Sequence, residues 1–176
     1  MNDPITHLKS LIRQVPDFPK KGVLFRDITP LLLDPSGLAM AIELLANPFR
    51  GKHIDLVVGA ESRGFIVGTA VACCLSAGFA LIRKHGKLPA KTVTITYDLE
   101  YGTDSLQMHA DAIRPGQRVL VCDDVLATGG TMKASCDLVR QLGGQIAGAA
   151  VLIELLALQG RAKITPLELY SVLRYE

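Results

Sequence analysis

VLVCDDVLATGGT, residues 119–131, passes from an apolar run through two adjacent acids into a Thr/Gly-rich turn, and its reading decides the fold. Residues 118–122 (RVLVC) lack polar–apolar alternation, the mark of a strand buried on both faces. Residues 123–130 read as a loop, and residues 131–142 as a helix closed by Gly143 and Gly144. Residues 146–152 then form another buried strand. The same order occurs upstream. Leu56, Val57, Val58 and Gly59 make a short strand, AESRG a polar loop, residues 65–77 a small-residue helix, and Ala80, Leu81 and Ile82 the next strand. Buried strands that alternate with loops and helices predict an open α/β fold, a mainly parallel sheet flanked by helices.

Outward from this centre the patterns change. Asp3 before Pro4 is a helix start, and Ile5, Leu8, Leu11, Ile12 and Val15 continue it at helical spacing to about Val15. Pro16, Pro19, Gly22 and Pro30 predict an irregular segment, although Val23, Leu24 and Phe25 lie within it. Asp34 and Pro35 start a second helix that ends near Pro48. Residues 83–91 are polar, basic and rich in Gly and Pro, as expected of a flexible loop. Residues 92–97 (TVTITY) alternate, residues 105–109 can pair with them, and LEYGTD between has turn chemistry, so a β-hairpin arm is expected. The chain reads as a single domain, 1–176, with a small N-terminal hood at 1–34 and the flexible loop and arm at 83–109.

A chain of 176 residues with 49% apolar and 20% charged residues can bury a sizeable core. Its formal net charge of +2 provides no basic field for nucleic acid or an anionic membrane, and neither is expected as a partner. Cys73, Cys74, Cys122 and Cys136 have neither CxxC spacing nor the rhythm of a secreted disulfide framework, so they read as thiols in a reducing cytosol. His7, His53, His85 and His109 form no pair that could hold a metal from one helix face. The opening MNDPITHLKS is unlike a signal peptide and no apolar stretch is long enough to span a bilayer; a soluble cytoplasmic protein is expected.

In open parallel sheets ligands sit beyond the carboxyl ends of the strands, which points to the loops after Val58, Ile82 and Cys122. Ala127, Thr128, Gly129, Gly130 and Thr131 combine backbone freedom, hydroxyl donors and a helix N-terminus, a cradle suited to a monophosphate. The lysine of a GxxxxGK[ST] loop is missing, as is GxGxxG, so an NTPase and a dinucleotide enzyme are disfavoured. Asp123 and Asp124 can accept from sugar hydroxyls or reach a Mg2+ through water. Glu61, Ser62, Arg63 and Gly64 close a strand with backbone N–H groups and a guanidinium suited to pyrophosphate. Arg83, Lys84 and Lys87, on the Gly/Pro loop, can close over a polyanion.

An apolar strand, two acids and a Thr/Gly-rich loop together resemble the signature of the type I phosphoribosyltransferases. FPKKGVLFRDITPLL (18–32), GAESRGF (59–65), IRKHGKLP (82–89), LEYG (99–102) and the closing LYSVLRYE are similar, in order, to segments of those members whose acceptor is adenine. The resemblance implies transfer of 5-phosphoribosyl from phosphoribosyl pyrophosphate to adenine, giving AMP and pyrophosphate with Mg2+ present, in a homodimer. It further implies that Leu24, Phe25 and Arg26 hold the base, with Leu155 on its other face. Glu100 then acts at the base, with Arg63 and Lys87 completing the catalytic set, and Tyr101 joins the pyrophosphate contacts. Mg2+ would be held mainly by the substrate. Ala90 stands where relatives often carry Gly, which removes no functional group. Two other readings are a 6-oxopurine phosphoribosyltransferase and a non-catalytic sensor of phosphoribosyl pyrophosphate. The second normally carries a DNA-binding segment, and no helix-turn-helix extension is evident in the sequence.

Overall fold

A computed structural model describes residues 3–98 and 103–176, apart from the Asp98 side chain. Helix α1 (Pro4–Ser10) is capped by Asp3, whose Oδ2 accepts from the Thr6 N–H at 3.1 Å. The sequence predicts this helix to about Val15, but it stops at Ser10. Arg13–Pro16 is instead strand β1, antiparallel to β2 (Leu24–Asp27), with Val15 opposite Phe25. Cross-strand pairing of a β-branched residue with an aromatic outweighs the helical periodicity there. The segment expected to be irregular therefore holds β2, followed by helix α2 (Thr29–Leu33). Helix α3 (Pro35–Ala46) starts where predicted, with Asp34 Oδ1 accepting from the Gly37 N–H at 2.6 Å.

The central elements follow as β3 (Leu56–Ala60), α4 (Arg63–Leu75), β4 (Gly78–Lys84), β5 (Thr92–Asp98), β6 (Thr103–His109), β7 (Arg118–Leu126), α5 (Gly130–Gln141), β8 (Gln145–Leu155) and β9 (Leu169–Tyr175). The main sheet has seven strands in the order β5-β6-β4-β3-β7-β8-β9. From β4 through β9 the neighbours are parallel, whereas β6 is antiparallel to both β4 and β5. The expected hairpin arm is thus β5–β6, in register from Thr92 opposite His109 to Asp98 opposite Thr103.

Successive residues of the buried strands serve opposite faces. Val57, Leu120 and Leu152 join Leu8, Leu45, Phe49 and Val71 under α1, α3 and α4. Val58, Val121 and Val151 join Met132, Leu138 and Val139 of α5 and Leu106 and Met108 of the arm. Two-sided burial explains why these strands read as unbroken apolar runs. Cys122 and Cys136 are buried as small apolar residues, and their thiols are pushed up in pKa by that burial, Cys136 to about 11. Among the described residues no helix is long and apolar enough to cross a membrane.

Three sequence boundaries need correction. Strand β7 does not end at Cys122: Asp123 pairs with Val151 and Leu126 with Glu154, because the long β8 extends the ladder beneath both acids. Arg83 and Lys84 belong to β4, where they pair with Gln107 and Leu106 of the arm rather than lying in the loop. Leu155 is the last residue of β8 and faces Tyr175 in β9, a strand the sequence reading does not place.

Candidate active site

From β3 the chain crosses to β4 on one side, and β7 lies on the other side of β3. Loops leaving β3 and β7 consequently diverge and leave a crevice at this switch in strand order. A cleft of ≈ 370 Å³ occupies it, lined by residues 61–63 from the first loop and 123–132 from the second. Two helices, α4 and α5, start at this cleft, and neither has a side-chain cap. Their first-turn N–H groups and positive dipole ends are available to anions.

At the second loop Gly129 has φ +79°, a left-handed conformation that a side chain resists. A Cβ there would also run into the Gly160 carbonyl oxygen, and one at Gly160 would meet that of Ala127. The cradle and the Gly160 backbone thus touch main chain to main chain. The Thr131 hydroxyl lies 3.3 Å from the Tyr97 hydroxyl on the arm, and its carbonyl accepts from Ser135 Oγ at 2.8 Å.

Beneath the cradle, Asp124 is 6% exposed and its Oδ2 lies 2.6 Å from Arg63 Nε. Asp123 Oδ1 accepts from the Asp124 N–H at 2.9 Å. A Cβ on Gly64 would sit 2.7 Å from that same oxygen, so glycine is what lets α4 start so close to the acid pair. Burial, and next the charge of Asp124, push the Asp123 carboxyl well above the usual carboxylate range. With its folded value raised, Asp123 makes folding less favourable as pH climbs from its unfolded pKa through the folded one. Hydroxyl donors from a ligand favour the ionised form and reverse part of that cost. The Glu61–Ser62 peptide is cis, and Glu61 Oε2 accepts from Arg83 Nε at 2.8 Å. A carboxylate cannot itself hold an anion; this one fixes Arg83 at the rim.

Strand β2 borders the acid pair through Arg63, whose guanidinium lies 5.2 Å from the centre of the half-buried Phe25 ring. Phe18 meets Phe25 edge-to-face at 5.2 Å, and Arg26 stacks 4.2 Å over Tyr175, the partner of half-buried Leu155. Leu24 is exposed. Pro16 lies opposite Leu24 but has no N–H, so that pair cannot exchange ladder hydrogen bonds. Bonded and non-bonded pairs alternate in an antiparallel ladder, which makes Gln14–Arg26 non-bonded as well. The Arg26 N–H and C=O therefore point away from β1.

Arg63 thus brings the Leu24-Phe25-Arg26 strand and the acid pair together. The basic-loop residues are less tightly drawn in. Lys84 Nζ pairs with Asp104 at 3.3 Å, and exposed Lys87 contributes its carbonyl to Arg83 Nη1 at 3.2 Å. Glu100 and Tyr101 lie outside the described residues. Sequence reading missed Tyr97, whose contact with Thr131 joins elements far apart in the chain, and Gly160, whose need for glycine is visible only in three dimensions. Among the described residues no group of three His, Cys, Asp or Glu side chains forms a metal cage.

Comparison with known proteins bears on this geometry. Residues 32–171 match the Phosphoribosyl transferase domain family. The chain is 59% identical to the adenine phosphoribosyltransferase of Acidobacterium capsulatum over 96% of its own length and 93% of the relative's. With that of Geotalea daltonii it shares 53% identity over 96% and 98%. The crystal structure of the Rhodothermus marinus adenine phosphoribosyltransferase superposes with a TM-score of 0.94 at 51% identity, covering 98% of both chains. The Saccharomyces cerevisiae enzyme, solved in complex with an imino-altritol bisphosphate and adenine, gives 0.91 at 36% identity over 97% and 98%.

Proposed function

Because this chain belongs to the phosphoribosyltransferase family, and within it to the adenine phosphoribosyltransferases, we infer that its cleft carries out their reaction. The enzyme transfers 5-phosphoribosyl from phosphoribosyl pyrophosphate to adenine, releasing AMP and pyrophosphate. The observation that carries this reading is that one crevice joins an uncapped Gly129–Gly130 helix start to a paired acid floor, while Arg63 on its wall ties those acids to the aromatic strand β2 beside it. Phosphate, sugar and base each find a surface of matching chemistry.

In this reading Ala127, Thr128, Gly129, Gly130 and Thr131 hold the 5-phosphate at the N-terminus of α5. Asp123 and Asp124 accept from the ribose hydroxyls, while Ser62, Arg63 and Gly64 receive pyrophosphate at the start of α4. Phe25 stacks on adenine against Leu155, and the Arg26 main chain reads its N1 and amino edge. The N9–C1′ bond forms as the bond from C1′ to pyrophosphate breaks, the sugar passes through an oxocarbenium-like state, and N9 loses its proton. Arg63, which contacts both Phe25 and Asp124, would stabilise the departing charge. Glu100 is assigned the N9 proton, and Tyr101 a pyrophosphate contact, on family resemblance alone.

With no metal cage among the described residues, Mg2+ would be held mainly by the substrate, and Asp123 and Asp124, as oxygen donors, would reach it through water. When bound it neutralises charge on the pyrophosphate. A homodimer would cover part of the exposed apolar surface at Leu33, Ile66 and Leu81, and the four unpaired cysteines suit a reducing cytoplasm. AMP formation from adenine, run beside hypoxanthine, guanine and xanthine, tests the reading; equal use of a 6-oxopurine would favour that branch of the family instead.

Two further results are expected. Thr131→Val should raise KM for phosphoribosyl pyrophosphate about tenfold, the size of one lost hydrogen bond to a charged group, while KM for adenine stays near wild type. Equal increases for both substrates would remove Thr131 from the cradle. In the basic loop, His85, Gly86, Lys87, Pro89, Ala90 and Lys91 are exposed, and Gly86 N–H is tied to Gln107 Oε1 at 2.8 Å. Limited proteolysis should cut after Lys84 or Lys87 in the free protein. Phosphoribosyl pyrophosphate with Mg2+ should slow that cleavage; an unchanged rate would contradict closure of the loop over the polyanion.

A further inference from the structure

Glu154 on β8 is 3% exposed, deep for a carboxylate, and sits opposite Leu126, the residue just before the cradle. Arg161 grips it with both arms of its guanidinium, Nε to Oε1 at 2.9 Å and Nη2 to Oε2 at 2.6 Å. The remaining nitrogen, Nη1, donates to the Leu169 carbonyl at 2.9 Å, where β9 starts. Ser171 Oγ donates to Glu154 Oε2 at 2.6 Å and accepts from Arg174 Nε at 2.9 Å. A bidentate, charge-assisted pair with these added bonds holds the main chain at residue 161 in one place.

The preceding residue is Gly160. Its backbone is the surface against which the cradle rests: the Cβ position of Gly160 lies 2.9 Å from Gly129 N and would strike the Ala127 carbonyl, and that of Gly129 would strike the Gly160 carbonyl. None of Glu154, Gly160 and Arg161 lines the cleft. Yet a shift of the Gly160 peptide cannot leave the Gly129 N–H where it is. We propose that Arg161, held by Glu154, is a positioning residue that sets the shape of the phosphate cradle by fixing Gly160 behind it, and so governs affinity for the phosphoribosyl substrate without touching it. This rests on the functional reading given above. Ion pairing for stability alone would not require the fork to end one residue from a main-chain contact with the substrate loop. An apolar pair of similar volume often serves stability as well as a buried ion pair does.

The test uses Arg161→Lys and the double variant Glu154→Gln/Arg161→Met, which removes the fork without leaving a buried unpaired charge. KM for phosphoribosyl pyrophosphate should rise about tenfold or more in the double variant, in the range seen when groups supporting a binding shell are lost, with KM for adenine within about twofold of wild type. Arg161→Lys, which keeps charge but not the fork, should fall between wild type and the double variant. It supplies the same readout if the double variant does not fold. Unchanged KM for phosphoribosyl pyrophosphate, or parallel increases for both substrates, would overturn the inference. A wild-type enzyme that forms no AMP would instead refute the functional reading, so the two failures are distinct.

Discussion

Adenine is expected to exceed hypoxanthine in kcat/KM by about ten-thousand-fold. The reason lies in main-chain chemistry at Arg26. Its carbonyl can only accept, so it pairs with the amino group of adenine, whereas the oxygen of hypoxanthine at the same place would face another oxygen and leave both unpaired. The register supports this assignment, since Pro16 forces the Gln14–Arg26 pair to turn its backbone groups away from β1. Side-chain removal in Arg26→Ala should leave most of the preference in place, although it also removes the stack on Tyr175. Phe25→Ala should weaken adenine binding by about 1 to 3 kcal/mol, as loss of aromatic–base stacking does elsewhere, with less effect on the ratio. Specificity constants for both bases in the three enzymes decide the matter. A wild type within tenfold for the two bases would end the adenine assignment.

Arg63→Ala should lower kcat by roughly a hundred- to a thousandfold, the range for removing one donor aimed at developing negative charge. Arg63 is also the partner of Asp124 at 2.6 Å, so its loss leaves a nearly buried carboxylate without its counter-charge. Asp124→Asn removes the other half of that pair, and the two changes should combine less than additively. Steady-state rates for the singles and the double would show it. Full additivity would mean that the contact between Arg63 and Asp124 contributes nothing to turnover.

How far the sequence could be read depended on how local each interaction was. Asp34 and Pro35 announced α3 because a cap is formed within one turn, and the 119–131 stretch announced a cradle because glycine freedom and helix starts are properties of neighbouring residues. Val15 misled, since its periodicity continued a helix while its actual partner, Phe25, lay across a turn. The acid pair looked like loop because nothing in residues 123–126 reveals that β8 is long enough to keep pairing beneath it. Arg63 was legible as a cation, but its contacts with Phe25 on one side and Asp124 on the other join three distant segments. Gly160 had no local signature at all.

The pairing of β8 with β9 also has a consequence for how the enzyme comes into being. Every residue of the cradle leaves the ribosome before Gly160, and the bonds that Arg161 makes to Leu169 and, through Glu154, to Ser171 must wait for the ninth strand. A nascent chain can build the centre of its sheet, β4, β3 and β7, while the phosphate site still lacks its rear wall. Substrate affinity should therefore arrive late in synthesis, after most of the hydrophobic core, so that partly made chains would not sequester phosphoribosyl pyrophosphate.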